Sequence, residues 1–181
     1  YLLDPEYLFS ICYDIRSIYE NYIIVGIGHQ DLDFKELDKK TRLERNEIYR
    51  ARDFLPWQLD RNIFIKGTDE DFANRIANNS GQAEKFAQFI NSQVVPLIDE
   101  KFRGSQERTL IGHSFGGVFT TFMLLCHPEN FAKYLAIAPV FLQFCKLCVR
   151  HRIGLARCSN RKVHRQAFTH AVEWTAGIGP H

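Results

Sequence analysis

Arg108-Thr109-Leu110-Ile111-Gly112-His113-Ser114-Phe115-Gly116-Gly117-Val118, continued by an apolar run to Cys126, decides how this 181-residue chain folds. Arg108 to Ile111 reads as a strand ending at Gly112, and Val118 to Cys126 is apolar for long enough to open a buried helix. Between them, Gly112-x-Ser114-x-Gly116 has the spacing of a nucleophile elbow. In such a turn the serine is held at strained backbone angles, its Oγ projects above the sheet, and small neighbours let two backbones approach closely. Ser114 is therefore a candidate covalent catalyst. The alternative is an ordinary glycine-rich turn carrying a solvated serine; a relaxed backbone at Ser114 would favour it.

Working outward, Tyr22-Ile23-Ile24-Val25-Gly26-Ile27-Gly28 is a β-branched run closed by glycine and predicts a buried parallel strand. Tyr1 to Asp4 reads as a strand end. Glu6 to Tyr19 then sets Leu8, Phe9, Cys12, Ile15 and Ile18 at helical spacing, completing a β-α-β unit. From His29 to Asn79 polarity is high, with charge concentrated between Asp31 and Arg52, which predicts a long excursion over the carboxyl edge of the sheet. Ser80 is an N-cap candidate for a helix from Gly81 to about Phe102, with an apolar face of Phe86, Phe89, Ile90, Val94, Leu97 and Ile98 and a late kink at Pro96. His127-Pro128-Glu129-Asn130 ends the next helix, and Tyr134 to Pro139 supplies another buried strand. Strands alternating with helices place the chain in the α/β class, with a mostly parallel sheet flanked by helices.

Length and a 45% hydrophobic fraction fit one globular domain with a substantial core. No stretch approaches 18 uncharged apolar residues, and the opening residues lack a signal-peptide pattern, so no membrane partner is expected. The chain opens on a strand-like stretch without an initiator methionine, which predicts further residues upstream. Residues 1–140 hold 16 basic and 20 acidic side chains, a net of −4, whereas 141–181 hold 7 and 1, a net of +6. That break divides the chain into a partial domain over 1–139, incomplete at both ends, and a basic tail over 140–181 rich in cysteine and histidine. An odd cysteine count without a secretion signal favours a reducing, cytoplasmic compartment. Cys12 and Cys126 fall in apolar helical patterns and read as buried small hydrophobes. In the tail, Cys145-x2-Cys148 with His151, Cys158 and His164 matches no standard zinc spacing, and no metal is assigned. The tail arginines lack aromatic interleaving, so no nucleic-acid partner is assigned either.

Six stretches, in order, carry a resemblance: Leu2-Leu3-Asp4-x-Glu6-Tyr7-Leu8-Phe9, Ile24 to Gly28, Arg52-Asp53-Phe54-x-Pro56, Phe86-x-x-Phe89-Ile90 with Pro96-Leu97-Ile98, Gly112 to Gly117, and Phe131-x-x-Tyr134-x-Ala136-Ile137-x-Pro139. Over residues 1 to about 140 the chain resembles the putative-esterase branch of the α/β-hydrolase fold, which includes siderophore esterases, S-formylglutathione hydrolases and mycolyltransferases. The resemblance implies a cofactor-free serine hydrolase acting on a small-molecule ester or thioester through an acyl-enzyme at Ser114. Two departures stand out. Pro5, which has no N–H, occupies a position where the family usually has glycine in the loop that contributes an oxyanion donor. After Pro139, the Ser-x-x-Trp-Trp stretch and the two strands that bear the triad acid and histidine are not recognisable.

In this chemistry a histidine takes the serine proton and backbone N–H groups stabilise the oxyanion. By position, Ser114 is the nucleophile and the Phe115 N–H one oxyanion donor; the second can come from the Glu6 or the Tyr7 N–H, and Glu6 is assigned. Chain order puts the histidine beyond residue 139, among His151, His164, His170 and His181. His164 is assigned because Val163 and the Ala171-Val172-Glu173-Trp174 segment resemble the family's closing helix. Glu173 is the sole acid of the tail and follows His164, against the usual order. His29 and His113 are assigned to packing or a pocket rim. Two other readings stay open: a catalytically silent scaffold without a working triad, and an acyltransferase using the same serine. A sheet edge left bare at Tyr134–Ala138 predicts self-association.

Overall fold

The computed structural model describes residues 1–5, 22–29, 38–63 and 68–140, all within one unit, Tyr1–Val140. Its centre is a parallel sheet. Strand β1 (Leu2–Leu3) lies between β2 (Gly26–Ile27) and β3 (Thr109–His113), and β3 pairs in turn with β4 (Lys133–Ile137), giving the order β2-β1-β3-β4. All three pairings are parallel, with Leu2 opposite both Gly26 and Ile111, and Thr109 opposite Lys133. The chain leaves β1 toward one side of the sheet and later returns on the other. The carboxyl ends of β1 and β3 therefore flank the topological switch point, where open α/β sheets form their ligand crevices.

The expected strand–turn–helix unit is present: β3 ends at His113, and α5 (labelled in chain order with α1 to α4 below) runs from Phe115 to Cys126. Its apolar face buries Val118, Phe119 and Met123 completely. Phe119 is the hub of the core, with ring centroids 5.8 Å from Phe54, 5.2 Å from Phe86 and 6.1 Å from Phe122. Leu3, Ile27, Leu110 and Phe131 close the same cluster from the sheet side. Cys126, expected as buried, is only half-buried.

The stretch from His29 to Asn79 is not one long loop. Helix α1 (Lys39–Phe54) and helix α2 (Glu70–Asn79) occupy most of its described part and pack against each other. Helix α1 starts where the Asp38 carboxylate accepts hydrogen bonds from the Lys40 and Thr41 N–H groups, at 2.9 and 3.1 Å. Asp69 caps α2 by accepting from the Phe72 N–H, and Glu70 and Asp71 favour the positive end of its dipole. Helix α1 escapes a periodicity search because its buried face includes two charged residues, Arg50 and Asp53, along with Ile48, Ala51 and Phe54.

Ser80 is not an N-cap. It closes α2: its backbone N–H reaches the Ile76 and Ala77 carbonyls, and its hydroxyl donates to the Ala77 carbonyl at 2.7 Å while accepting from the Leu59 N–H at 2.8 Å. The helix predicted from Gly81 to Phe102 is interrupted. It consists of α3 (Ala83–Phe89), a π turn (Ile90–Val94) and α4 (Val95–Lys101). Pro96 lacks the N–H that an unbroken helix would donate to the Ser92 carbonyl, and the π turn, closed by the Val95 N–H on the Ile90 carbonyl, absorbs that defect. The inserted residue rotates the apolar stripe out of phase. Ile90 and Val95 are buried, while Phe89 and Leu97 are 48% and 46% exposed. The expected strand over Tyr22–Gly28 is shorter too, since only Gly26 and Ile27 pair and Tyr22 is 70% exposed. Strand β4 is an outer strand among the described residues, and Leu135 and Ile137 stand exposed on it. The helix predicted over Glu6–Tyr19, Cys12 within it, and the whole 141–181 tail lie outside the described residues.

Truncating Phe119 to alanine removes the hub around which three other rings pack. A loss of about 3–5 kcal/mol is expected, read as a lowered urea midpoint at unchanged denaturant slope.

Candidate active site

The turn joining β3 to α5 is crowded by construction. A Cβ at Gly112 would overlap the Gly116 carbonyl and lie 2.6 Å from the Thr120 hydroxyl, so only glycine fits where β3 passes the first turn of the helix. At Gly117 a Cβ would come within 3.0 Å of the Ile137 carbonyl and 3.2 Å of Pro139, which is how α5 lies so close to the end of β4. Thr120 and Thr121 donate back to the Gly116 and Gly117 carbonyls at 2.9 and 3.0 Å and tighten the same turn.

Ser114 sits at the apex with φ 57° and ψ −116°, well outside relaxed coil. Its N–H donates to the Ile137 carbonyl at 3.0 Å, and its carbonyl accepts the first helical bond from the Val118 N–H at 3.1 Å. The side chain is half-buried and does not cap its own helix. A serine at a helix start ordinarily turns its hydroxyl onto the following N–H groups; the positive φ withholds it from them. Phe115 is the first helical residue, so its N–H has no intrahelical acceptor and lies at the positive end of α5. A strained serine beside an unfilled amide donor can hold an attacking oxygen and a developing oxyanion in one place.

Strain is not confined to Ser114. Among the described residues, the non-glycine residues with positive φ are Asp4 (53°), Ser114 (57°) and Ala138 (41°), each the first residue past a parallel strand. Left-handed backbone at such residues costs on the order of 1–3 kcal/mol each and concentrates where function requires it.

Asp4 is buried, and its Oδ2 accepts from Arg50 Nε at 3.0 Å. Arg50 also donates through Nη1 to Glu47 at 2.7 Å, and its guanidinium carbon stands 5.4 Å from the Phe115 ring centroid. Burial alone would discourage the charge on Arg50, but Asp4 and Glu47 outweigh it and hold its pKa above the ordinary value. No motif in the sequence had marked Arg50. Only its spacing on α1, facing inward beside Ala51 and Phe54, hinted at burial.

His29 takes the packing role expected of it. Its ring lies against Phe54 and Phe86, and Nε2 is 2.9 Å from Asp53 Oδ2. Arg52 forks onto the same carboxylate at 2.7 and 2.8 Å. Burial would raise the Asp53 pKa, yet the hydrogen bonds and charges of Arg52 and His29 prevail and lower it. A cleft of about 440 Å³ opens here, with His29, Tyr49, Arg52, Lys85 and Phe89 among its lining. Neither Ser114 nor Phe115 lines it. His113 is exposed at the end of β3. Glu6 and His164, assigned as second oxyanion donor and general base, lie outside the described residues, as do the tail cysteines; among the described residues no cluster could hold a metal, and no helix is long and apolar enough to cross a membrane.

Two outcomes test this geometry. Replacing Ser114 by glycine relieves about 1–3 kcal/mol of strain and adds roughly 1 kcal/mol of unfolded-chain entropy, so a rise in melting temperature is expected. Asp53 has a folded-state pKa below its unfolded one, so its stabilisation is full at neutral pH and fades as pH falls below about 4 through the lowered value. Asp53→Asn should therefore lower the urea midpoint at pH 7 and narrow the gap to wild type at about pH 3.

Comparison with known proteins agrees with the geometry. The family described as "Putative esterase" matches residues 57–168, which takes in the elbow and runs into the tail past His164. The chain is 38% identical over 60 residues to the ferri-bacillibactin esterase BesA of Bacillus subtilis, covering 33% of this chain and 21% of that protein. It is 28% identical over 96 residues to the siderophore triacetylfusarinine C esterase of Aspergillus fumigatus, covering 52% and 32%. It thus spans about a third or less of the length of these curated relatives. Among solved structures it superposes on the BES protein from Bacillus cereus with a TM-score of 0.59 at 22% identity, over 86% of this chain and 54% of that one. An IroE-like serine hydrolase from Shewanella oneidensis also superposes with a TM-score of 0.59 at 22% identity, over 83% and 44%. With its parallel sheet, its flanking helices and this family match, the chain belongs to the putative esterase family of the α/β-hydrolase fold.

Proposed function

We propose that the protein is a serine hydrolase that cleaves a carboxylic ester through an acyl-enzyme at Ser114, and that its substrates are siderophore-type esters of the kind named for its relatives. The observation that carries this reading is the Ser114 backbone at φ 57°, which keeps the hydroxyl from capping its own helix, directly before the Phe115 N–H in the chain.

The proposed reaction assigns each group one role. Ser114 Oγ attacks the ester carbonyl as His164 removes its proton, and the carbonyl electron pair collects on oxygen opposite the Phe115 N–H, with the Glu6 N–H as second donor. Collapse of that intermediate breaks the bond to the alcohol, which leaves with the proton held by His164. Water then repeats the sequence on the acyl-enzyme and regenerates Ser114. No cofactor enters.

A fluorophosphonate probe tests the assignment, because it phosphonylates only an activated serine. Wild type should label and Ser114→Ala should not. His164→Gln should slow labelling by about 10²–10⁴ if His164 is the base. A folded wild type that stays unlabelled would mark the chain as a silent scaffold. Unchanged labelling of His164→Gln would move the base to His151, His170 or His181.

A further inference from the structure

We propose that Arg50 is a positioning residue for the oxyanion hole, tying the end of β1, through Asp4, to the first turn of α5 at Phe115 and Gly116. The inference rests on the reading of Ser114 as nucleophile. One guanidinium reaches both sides of the switch point: Nε donates to Asp4 Oδ2 at 3.0 Å, and the guanidinium carbon stands over the Phe115 ring, 5.4 Å from its centroid. Asp4 itself lies against the elbow, since a Cβ at Gly116 would sit 3.4 Å from its Oδ2. The side chains of Arg50 and Asp4 are 9% and 3% exposed, so this is an ion pair within the packed interior.

Charge alone does not explain its presence. Among the described residues, Asp4 and Glu47 together place two carboxylates on one guanidinium, which leaves no surplus positive charge within that group to stabilise an oxyanion. Nor is a buried pair a dependable source of stability, since apolar replacements of similar volume are often neutral or better. Direction is what this pair supplies. A planar fork placed over a ring fixes its partners in orientation as well as distance. An oxyanion donor acts only within about 2.7–3.1 Å of the developing charge, and a misplacement of about 1 Å lowers rate by about 10²-fold. The Phe115 side chain that Arg50 covers belongs to the residue whose N–H is that donor.

The test uses para-nitrophenyl acetate as substrate and an alkyl trifluoromethyl ketone as inhibitor; the ketone adds Ser114 Oγ to its carbonyl carbon and presents an oxyanion to the hole. Arg50→Lys keeps the charge but loses the fork and the flat face. It should lower kcat by about 10–100-fold, leave KM within about threefold, and weaken the ketone by the same factor as kcat/KM. Phe115→Leu, which keeps the N–H and removes the ring, should shift kcat and ketone affinity in the same direction and tests the proposal even if Arg50 variants do not fold. A folded Arg50→Lys or Phe115→Leu with wild-type kcat, or with ketone affinity unchanged, overturns the positioning role alone. A wild type without Ser114-dependent turnover overturns the nucleophile reading and this inference with it.

Discussion

Everything near the elbow follows from how closely β3 and α5 approach. With no atom beyond Cα at Gly112, the strand passes against the Gly116 carbonyl, and the chain must reverse within a single residue. That residue is Ser114, and its left-handed backbone is the geometric outcome. The same close approach brings Ile137 to the Ser114 N–H and lets Gly117 lie against Pro139, so β4 is held by the turn as well as by its ladder with β3. The large core fixes the sheet and helices. The missing side chains at the turn decide where a hydroxyl stands relative to an amide.

How far the sequence discloses this depends on the physics of each element. The unit from Thr109 to Cys126 is legible because three independent requirements coincide: a strand, small residues at fixed spacing, and an apolar helix. The parallel sheet follows from the alternation. Helix α1 is hidden because Arg50 and Asp53 occupy its inward face, where Asp4 and Glu47 pair with the one and Arg52 and His29 with the other. A pattern search sees charges and infers solvent. Two of those partners come from strand ends more than 20 residues away, and no local rule supplies them.

Two other readings fail for reasons of degeneracy. Serine suits either end of a helix, and at Ser80 the carbonyl of Ala77 and the N–H of Leu59 decide in favour of a closing role. Pro96 announces a disturbance but not its form. A kink would have kept Leu97 on the stripe of Ile90, whereas the π turn at Ile90–Val94 shifts the register by a residue, so that Val95 is buried and Leu97 faces solvent. Of the candidate site, the proposed nucleophile and its neighbouring amide are readable from the motif, and the arginine proposed to brace them is not.

The residues at Asp4, Ser114 and Ala138 put the costly backbone angles along a single rim, the one formed by the carboxyl ends of β1, β3 and β4. Ala138 is the most telling of the three, because alanine has no polar side chain to offset a left-handed conformation. Heat tolerance and the proposed chemistry therefore draw on the same few torsions. A laboratory selection for durability that leaves this rim unguarded will drift toward glycine there, and its hardiest survivors will be its poorest workers.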